Sequence, residues 1–533
     1  MKEITPVAYE APKKDLLSII EETREMKMVT VDGEKVLDET SFTKLNERAT
    51  VTALRESFPL ATSGKLNAPY VYNSKKGIWE ELPSKESAQQ MVETHIVSQC
   101  KMLLAQLNGS STISNQLNKS IQTVAQQYVR IESSNTGHDL LRMTNPNLIA
   151  FRNGLYDFKT NTMRSITKDD YQTMALPYDL LEATEEDADV KYWIEFIELL
   201  TGESKDLIIA YIGFLFYRSQ RTIQTIMIFI NGQTSNGRNG KGKLIELMRE
   251  LLGDNTENSN YTALSIGDLA DSSKDFVKVN LVNKMANFDA DSDSKFLAST
   301  NVLKTLSTND PLTVNVKHGS FVTFENYARL IVATNKLPNY RDSSSGFSDR
   351  LVIVPFIRYF GLDGDDFNEY IAPGKKFSDE EKQKHLDNDG MGKFAYYCIQ
   401  QFRAMMKNGL SANPFRDMMT EEALQILENY QYNNDPIKQF LNLHDYEITN
   451  KEYDYVVRDD MYDLFKMDNS DSKMSERGFF EELETRGALL RTESKKPYRK
   501  KINGVTQTII KGIKKRDMSN EEYEESIETS NIF

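Results

Sequence analysis

The sequence predicts an α/β chain, with a phosphate-binding core preceded by an α+β region and followed by a helix-and-strand module. Three observations carry this. From Thr222 to Phe356 the pattern alternates strand, loop, helix, strand, as in a sheet covered by helices. At the head of that stretch an apolar run, residues 226–230, meets a Gly-rich loop ending in Gly240-Lys241 that opens a helix. Beyond residue 436, two helical segments precede two short strands joined at Asn503-Gly504.

Composition narrows the class. In 533 residues, 39% are hydrophobic and 10% aromatic, enough for several buried cores and against a disordered or fibrous chain. The formal net charge is −14, so any polyanion must be met by local basic patches. Only Cys100 and Cys398 occur, far apart, which excludes a disulfide scaffold and a cysteine zinc site. The five histidines, His95, His138, His318, His385 and His444, are equally scattered. Residues 1–6 lack the apolar core of a signal peptide. The longest apolar stretch, residues 207–217, is too short to span a bilayer and reads as a buried helix. The expectation is a cytoplasmic protein without a membrane segment.

Taken in order, residues 1–65 are charged, weakly periodic and without an assignable role. Residues 66–200 read as an α+β domain, with one hairpin turning near Gly77 and another at Asn153-Gly154. A helical stretch covers roughly 188–217. Residues 201–435 hold the α/β core and flanking helices, closed by the turn Asn433-Asn434-Asp435-Pro436. Residues 436–516 form the last module, and residues 517–533 read as an acidic, disordered tail. No internal repeat is visible.

The loop after residues 226–230 reads Asn231-Gly232-Gln233-Thr234-Ser235-Asn236-Gly237-Arg238-Asn239-Gly240-Lys241-Gly242-Lys243. Glycines let backbone N–H groups turn onto phosphates, and a helix N-terminus adds a favourable dipole. Gly237, Asn239, Gly240, Lys241, Gly242 and Lys243 are the candidate nucleotide contacts, with Lys241 reaching the outer phosphates. Ser235 stands where the usual pattern begins with Gly, and Gly242 where it has the Mg2+-contacting Ser or Thr.

Downstream, residues 277–288 read as a strand leading into Asp289-Ala290-Asp291, a place to hold Mg2+ and a water. Residues 312–316 and 321–324 alternate as a hairpin with Lys317 and His318 at its tip, where phosphate contact is the natural use. Arg329-Leu330-Ile331-Val332-Ala333 is a buried strand ending in Thr334-Asn335, and Arg350 precedes a third, residues 351–355.

In this order the segments resemble the helicase core shared by superfamily 3: phosphate loop, acidic strand end, DNA hairpin, polar sensor, arginine finger. Asn335 follows Lys317 by 18 residues and Arg350 follows Asn335 by 15, offsets like those of papillomavirus-type replication helicases. The poxvirus-type and satellite-phage-type primase-helicases, as in phages and pathogenicity islands, are closer still. Their text is similar to Leu303-Lys304-Thr305-Leu306, Asp310-Pro311-Leu312-Thr313, Ala333-Thr334-Asn335-Lys336-Leu337-Pro338 and Arg350-Leu351-Val352-Ile353-Val354-Pro355-Phe356 here. Asn153-Gly154-Leu155-Tyr156-Asp157 and Tyr432-Asn433-Asn434-Asp435-Pro436 also resemble it, so the likeness runs from about residue 65 to 515. A loop reading Asn-Gly-Lys-Gly occurs in that group. Asp349, Phe347 and the Asp289/Asp291 pair depart from it, where Arg, Trp and Glu are common. No catalytic primase domain is recognisable.

The resemblance implies an AAA+-like ATPase using ATP and Mg2+, assembled as a ring, a hexamer, around one DNA strand during replication of a phage or mobile element. It implies that Lys241 binds phosphate, that Asp289 and Asp291 hold Mg2+ or polarise water, and that Asn335 senses the γ-phosphate. Arg350 and Lys304 would face the neighbour's nucleotide. Two other readings stay open: an origin-binding initiator that uses ATP only to assemble, and a non-hydrolysing DNA-binding regulator or scaffold, which Gly242 favours.

In the last module a Ser475-capped helix through Phe479, Phe480 and Leu483 ends at Gly487. Arg491, Lys495, Lys496, Arg499, Lys500 and Lys501 follow, on the wing of a winged-helix pattern, where they would meet duplex or origin DNA. The tail, ending in acids and Ile532-Phe533, reads either as a solvating end or as a tip that docks on host replication proteins.

Overall fold

The computed structural model describes residues 20–31, 34–63, 68–108, 112–134, 140, 144–219, 222–232, 238–253, 260–292, 297, 299–315, 321–340, 346–358, 360, 377–387, 389–407, 413–459, 461–469, 474–502 and 504–523. The amino-terminal stretch, unassigned from sequence, holds a long antiparallel ribbon. Ile20–Val31 pairs with Glu34–Leu45 in register from Ile20↔Leu45 to Val31↔Glu34. Asn46 then caps the helix Glu47–Ser57 by accepting from the Ala49 N–H at 2.9 Å. This helix, a three-stranded antiparallel sheet (Leu60–Ser63, Ala68–Asn73, Ile78–Glu81) and the helices Lys85–Asn108 and Asn115–Ser134 share a core that includes Leu54, Val92, Ile96, Ile121 and Tyr128.

The hairpin at Asn153-Gly154 is present, Leu148–Phe151 pairing with Gly154–Asp157. The apolar segment forms the helix Lys205–Leu215, in which residues 207–215 are all buried. It packs against Gly390–Lys407 so closely that a Cβ on Gly213 would lie 2.0 Å from the Cys398 carbonyl oxygen, so only glycine fits there.

The central sheet is parallel, in the order Tyr261–Thr262, Ala286–Asp289, Arg329–Ala333, Ile226–Asn231, Leu351–Phe356. The inner strands Ala286–Asp289 and Arg329–Ala333 are buried along their whole length and Ile226–Asn231 in all but its last residue, as in a parallel sheet covered on both faces. Pro355 sits on an edge strand, where a missing N–H costs least. Residues 277–281 are not the expected strand. They belong to a 3-10 stretch, Ser272–Leu281, whose buried Lys278 bonds to the Asp275 carboxylate and, at 3.0 Å, the Asp271 carbonyl. Arg329, fully buried, donates to the carbonyls of Tyr217, Ser219 and Tyr327 and stacks 3.6 Å from the Phe214 ring centroid. It thereby fixes the start of its strand to the end of the apolar helix, and burial pushes its guanidinium down to about 9. One hydrophobic core runs from Ile149 to Tyr430, so the division expected at residue 200 does not coincide with a break in packing.

The strands Pro311–Asn315 and Phe321–Glu325 form the expected hairpin. Its tip, with Lys317 and His318, lies outside the described residues. The last module is richer than two helices and two strands. It has helices Pro436–Leu443, Met461–Asp468 and Glu476–Thr485, a sheet in the order Tyr455–Val457, Val505–Lys511, Tyr498–Ile502, and a short pair Tyr446–Ile448 with Ile513–Lys515. Ser475 caps its helix by accepting from the Gly478 N–H at 3.1 Å. The tail is not disordered throughout. Tyr523 is buried in the module's core with Phe440, Phe465 and Phe479, and its hydroxyl accepts from the Val457 N–H at 3.1 Å. Residues 524–533, with Ile532-Phe533, lie outside the described residues. Cys100 and Cys398 are free and buried. Among the described residues no helix is long and apolar enough to cross a membrane.

Candidate functional site

The parallel sheet gathers polar residues where its strands end. Asn231 closes the apolar strand Ile226–Asn231. Residues 233–237, Gly237 among them, lie outside the described residues. The chain re-enters at Arg238 and Asn239, and Gly240 adopts φ +86 just before the helix Lys241–Leu251. A Cβ there would sit 2.5 Å from Leu200 Cδ2, so the tight turn requires glycine on both counts. Asn239 is buried and donates to Asn231 Oδ1 at 2.9 Å.

The Lys241 amine donates to three oxygens: Asn231 Oδ1 at 2.5 Å, the Thr334 carbonyl at 3.0 Å and Asn335 Oδ1 at 2.9 Å. All three acceptors are neutral. Burial pushes the amine down to about 8, with the Asp291 carboxylate opposing the shift. A half-buried cation among neutral dipoles, beside the open N–H groups of a helix start, has the chemistry to accept an anion. Gly242 is exposed and a Cβ there would meet nothing within 4 Å. Lys243 turns elsewhere, to Glu246 at 2.9 Å and Asp379 at 3.5 Å.

The two acidic candidates differ. Asp289 is buried and its Oδ2 accepts from the Ile266 N–H at 2.8 Å, while Asn287 bonds both ways with the Leu264 backbone. These side chains tie residues 264–266 to the sheet. Asp291 is exposed, and its charge acts on Lys241. Thr334 is buried and donates to the Lys336 carbonyl at 2.7 Å, which presents Asn335 outward. Among the described residues no group of three or more His, Cys, Asp or Glu side chains could hold a metal alone. A Mg2+ that arrives with a nucleotide needs only one or two carboxylates, the phosphates and waters supplying the rest. Asp291, exposed beside Lys241, is a carboxylate of that kind.

Arg350 is not among the residues bonded to Lys241. Its guanidinium donates to the Gly346 carbonyl, and its Nε is buried without a hydrogen-bond partner among the described residues. Burial lowers its pKa, opposed by Asp349 and Asp310. Asp349 in turn pairs with Arg416 at 2.9 Å. Lys304 lies on the helix Asn301–Leu306. In the last module Lys495, Lys496, Arg499 and Lys501 are exposed, whereas Lys500 donates to the Tyr455 hydroxyl at 2.6 Å and lies 3.9 Å from its ring centroid.

Sequence reasoning missed Asn231, Thr334 and Arg416. The sign for Asn231 was a lone amide ending an apolar strand; Thr334 acts through its carbonyl, and Arg416 through a partner 67 residues away, neither of which a motif displays.

Residues 64–202 match a family model described as D5 N terminal like. Residues 233–350 match a family of unknown function, DUF5906. A protein of Acanthamoeba polyphaga mimivirus, named "Putative helicase L207/L206", is 24% identical over 221 residues, covering 40% of this chain and 22% of that protein. The chain therefore spans about a fifth of that relative's length. Among solved structures, the apo NrS-1 C terminal region aligns over 86% of this chain and 97% of its own at 14% identity and a TM-score of 0.42. The JCV Helicase aligns over 61% and 80% at 12% identity and a TM-score of 0.27. The chain is thus a mixed α/β protein with a D5-like amino-terminal region and similarity to a helicase-named viral protein.

Proposed function

We propose that this chain is an ATP-driven DNA helicase that works as a ring, a hexamer in the simplest case, during replication of a phage or mobile element. The observation that carries the reading is the Lys241 amine, held at a helix start and bridging Asn231, Thr334 and Asn335. In this reading the core is an AAA+-like phosphate-loop ATPase and residues 436–516 a winged helix. Asn239, Gly240, Lys241 and the N–H groups through Lys243 bind the phosphates, and Gly237 belongs to the same loop. Asp291, with Asp289 behind it, orients the water and the Mg2+ that accompanies ATP. Asn335 contacts both Lys241 and the outer phosphate, so it reports whether that phosphate is present. Arg350, which does not bond to Lys241, completes the site of the neighbouring subunit, and Lys304 faces the same nucleotide; an arginine so placed is worth roughly 10³–10⁵ in rate. Lys317 and His318 grip one strand of DNA in the channel.

The test is steady-state ATP hydrolysis with and without single-stranded DNA, beside strand displacement, on wild type and Lys241→Ala. The expected result is DNA-stimulated hydrolysis and unwinding, both lost in a folded Lys241→Ala protein. A second reading, nucleotide binding without turnover, draws on Gly242, which has no hydroxyl for Mg2+. Tight ATP binding with no turnover would favour it over the helicase.

A further inference from the structure

The last module carries two exposed surfaces of opposite sign. In helix-turn-helix units the second helix of the pair enters the major groove. That helix is Glu476–Thr485, which buries Phe479, Phe480 and Leu483 and exposes Glu476, Arg477, Glu481 and Glu484. Three carboxylates thus stand against one guanidinium, and Arg477 is bound to Glu481 at 2.7 Å. Such a face repels phosphates and offers no uncommitted cation.

The hairpin that follows is the reverse. Residues 491–501 expose Arg491, Lys495, Lys496, Arg499 and Lys501 against a single acid, Glu493. Lys495 adopts φ +60 in a turn closed by Lys495 N–H to the Thr492 carbonyl and Thr492 N–H to the Lys496 carbonyl, both 2.8 Å, which holds the two lysines outward. Arg499 and Lys501 alternate onto one face of their strand, opposite Thr508 and Thr506, while Lys500 points to Tyr455. Cations spaced along an exposed hairpin with threonines between them suit a phosphate backbone.

We propose that duplex DNA docks on this hairpin, through Lys495, Lys496, Arg499 and Lys501, and that the helix Glu476–Thr485 stays out of the groove. This rests on the reading of residues 436–516 as a DNA-binding unit. The test is duplex binding by the full-length, nucleotide-free protein, followed by fluorescence anisotropy between about 50 and 200 mM salt. Each lost phosphate contact lowers the log–log slope by about 0.9, so replacing all four cations by Ala lowers it by up to about 3.6, and Lys501→Ala alone by about 0.9. Arg477→Ala leaves the slope unchanged, and Glu481→Gln with Glu484→Gln leaves affinity equal or tighter. A slope lowered by Arg477→Ala as much as by Lys501→Ala, or one indifferent to the four-fold variant, overturns the proposal. Wild-type protein with no salt-dependent duplex affinity would instead sink the DNA-binding reading itself.

Discussion

If Lys241 binds the phosphates as proposed, the state of its amine should make nucleotide affinity pH-dependent in a calculable direction. In the free protein burial pushes the amine down to about 8. A bound phosphate is an anion and favours the protonated form, so the value in the complex is higher. Between the two values the complex holds more protons than the free protein, and affinity falls as pH rises. Well above 8 the loss approaches about tenfold, or about 1.4 kcal/mol, per pH unit, so affinity at roughly pH 9.5 lies about 30-fold below its low-pH plateau and about 15-fold below its value at pH 8. Well below 8 affinity is flat. Lys241→Arg keeps its charge throughout and removes the slope. Asp291→Asn removes the charge that opposes the shift, so the decline begins at lower pH. The assay is titration with a fluorescent ATP analogue at fixed Mg2+ from about pH 7.5 upward. A wild-type profile as flat as that of Lys241→Arg, or an Asp291→Asn decline displaced to higher pH, would refute the reasoning.

Arg350→Ala should lose roughly 10³–10⁵ in turnover while keeping nucleotide affinity, and mixing it with Lys241→Ala protein should restore some activity through interfaces that are intact; recovery absent from rings shown to exchange subunits would count against a shared site. Gly240→Ala places a methyl 2.5 Å from Leu200 Cδ2 at φ +86 and should cost about 1–3 kcal/mol, read as a lowered Tm. Gly242→Ser meets nothing within 4 Å and should leave Tm unchanged, so any change in its hydrolysis rate reports on chemistry alone.

How legible the fold was depended on what buried each element. The strand residues 226–230, 329–333 and 351–356 are all buried, which favours nearly continuous apolar runs that stand out in the sequence. Residues 277–281 read Val-Lys-Val-Asn-Leu, an apolar-polar alternation that imitates a half-buried strand. The alternation was misleading because the polar residue in it, Lys278, is itself buried, satisfied by Asp275 and a carbonyl. The long ribbon at 20–45 was missed because its sequence is rich in charge and has no sustained apolar face, although Asp32-Gly33 between its strands is a hairpin dipeptide. Tyr523 was lost inside an acidic run, where composition outweighed one aromatic.

The site poses a harder problem, because its members were visible but their assembly was not. Lys241 and Asn335 are 94 residues apart, and they meet because the strand Arg329–Ala333 pairs in parallel beside Ile226–Asn231. Parallel pairing sends both strands' carboxyl ends to one edge of the sheet, so Asn231, Thr334 and Asn335 all arrive around one amine. Spacing along the chain places Lys241 and Asn335 in a pattern, yet it does not tell which strands are neighbours. The acidic pair shows the same limit. In sequence Asp289 and Asp291 are interchangeable, two residues apart at the end of one strand. In three dimensions Asp289 is drawn inward to hold the Ile266 N–H, and Asp291 is left exposed with its charge on Lys241. Asp291→Asn should therefore shift the pH profile of nucleotide binding, while Asp289→Asn, by weakening the tie between the sheet and residues 264–266, should lower Tm. If Asp289→Asn moved the pH profile and left Tm untouched, the two carboxylates would have to exchange roles.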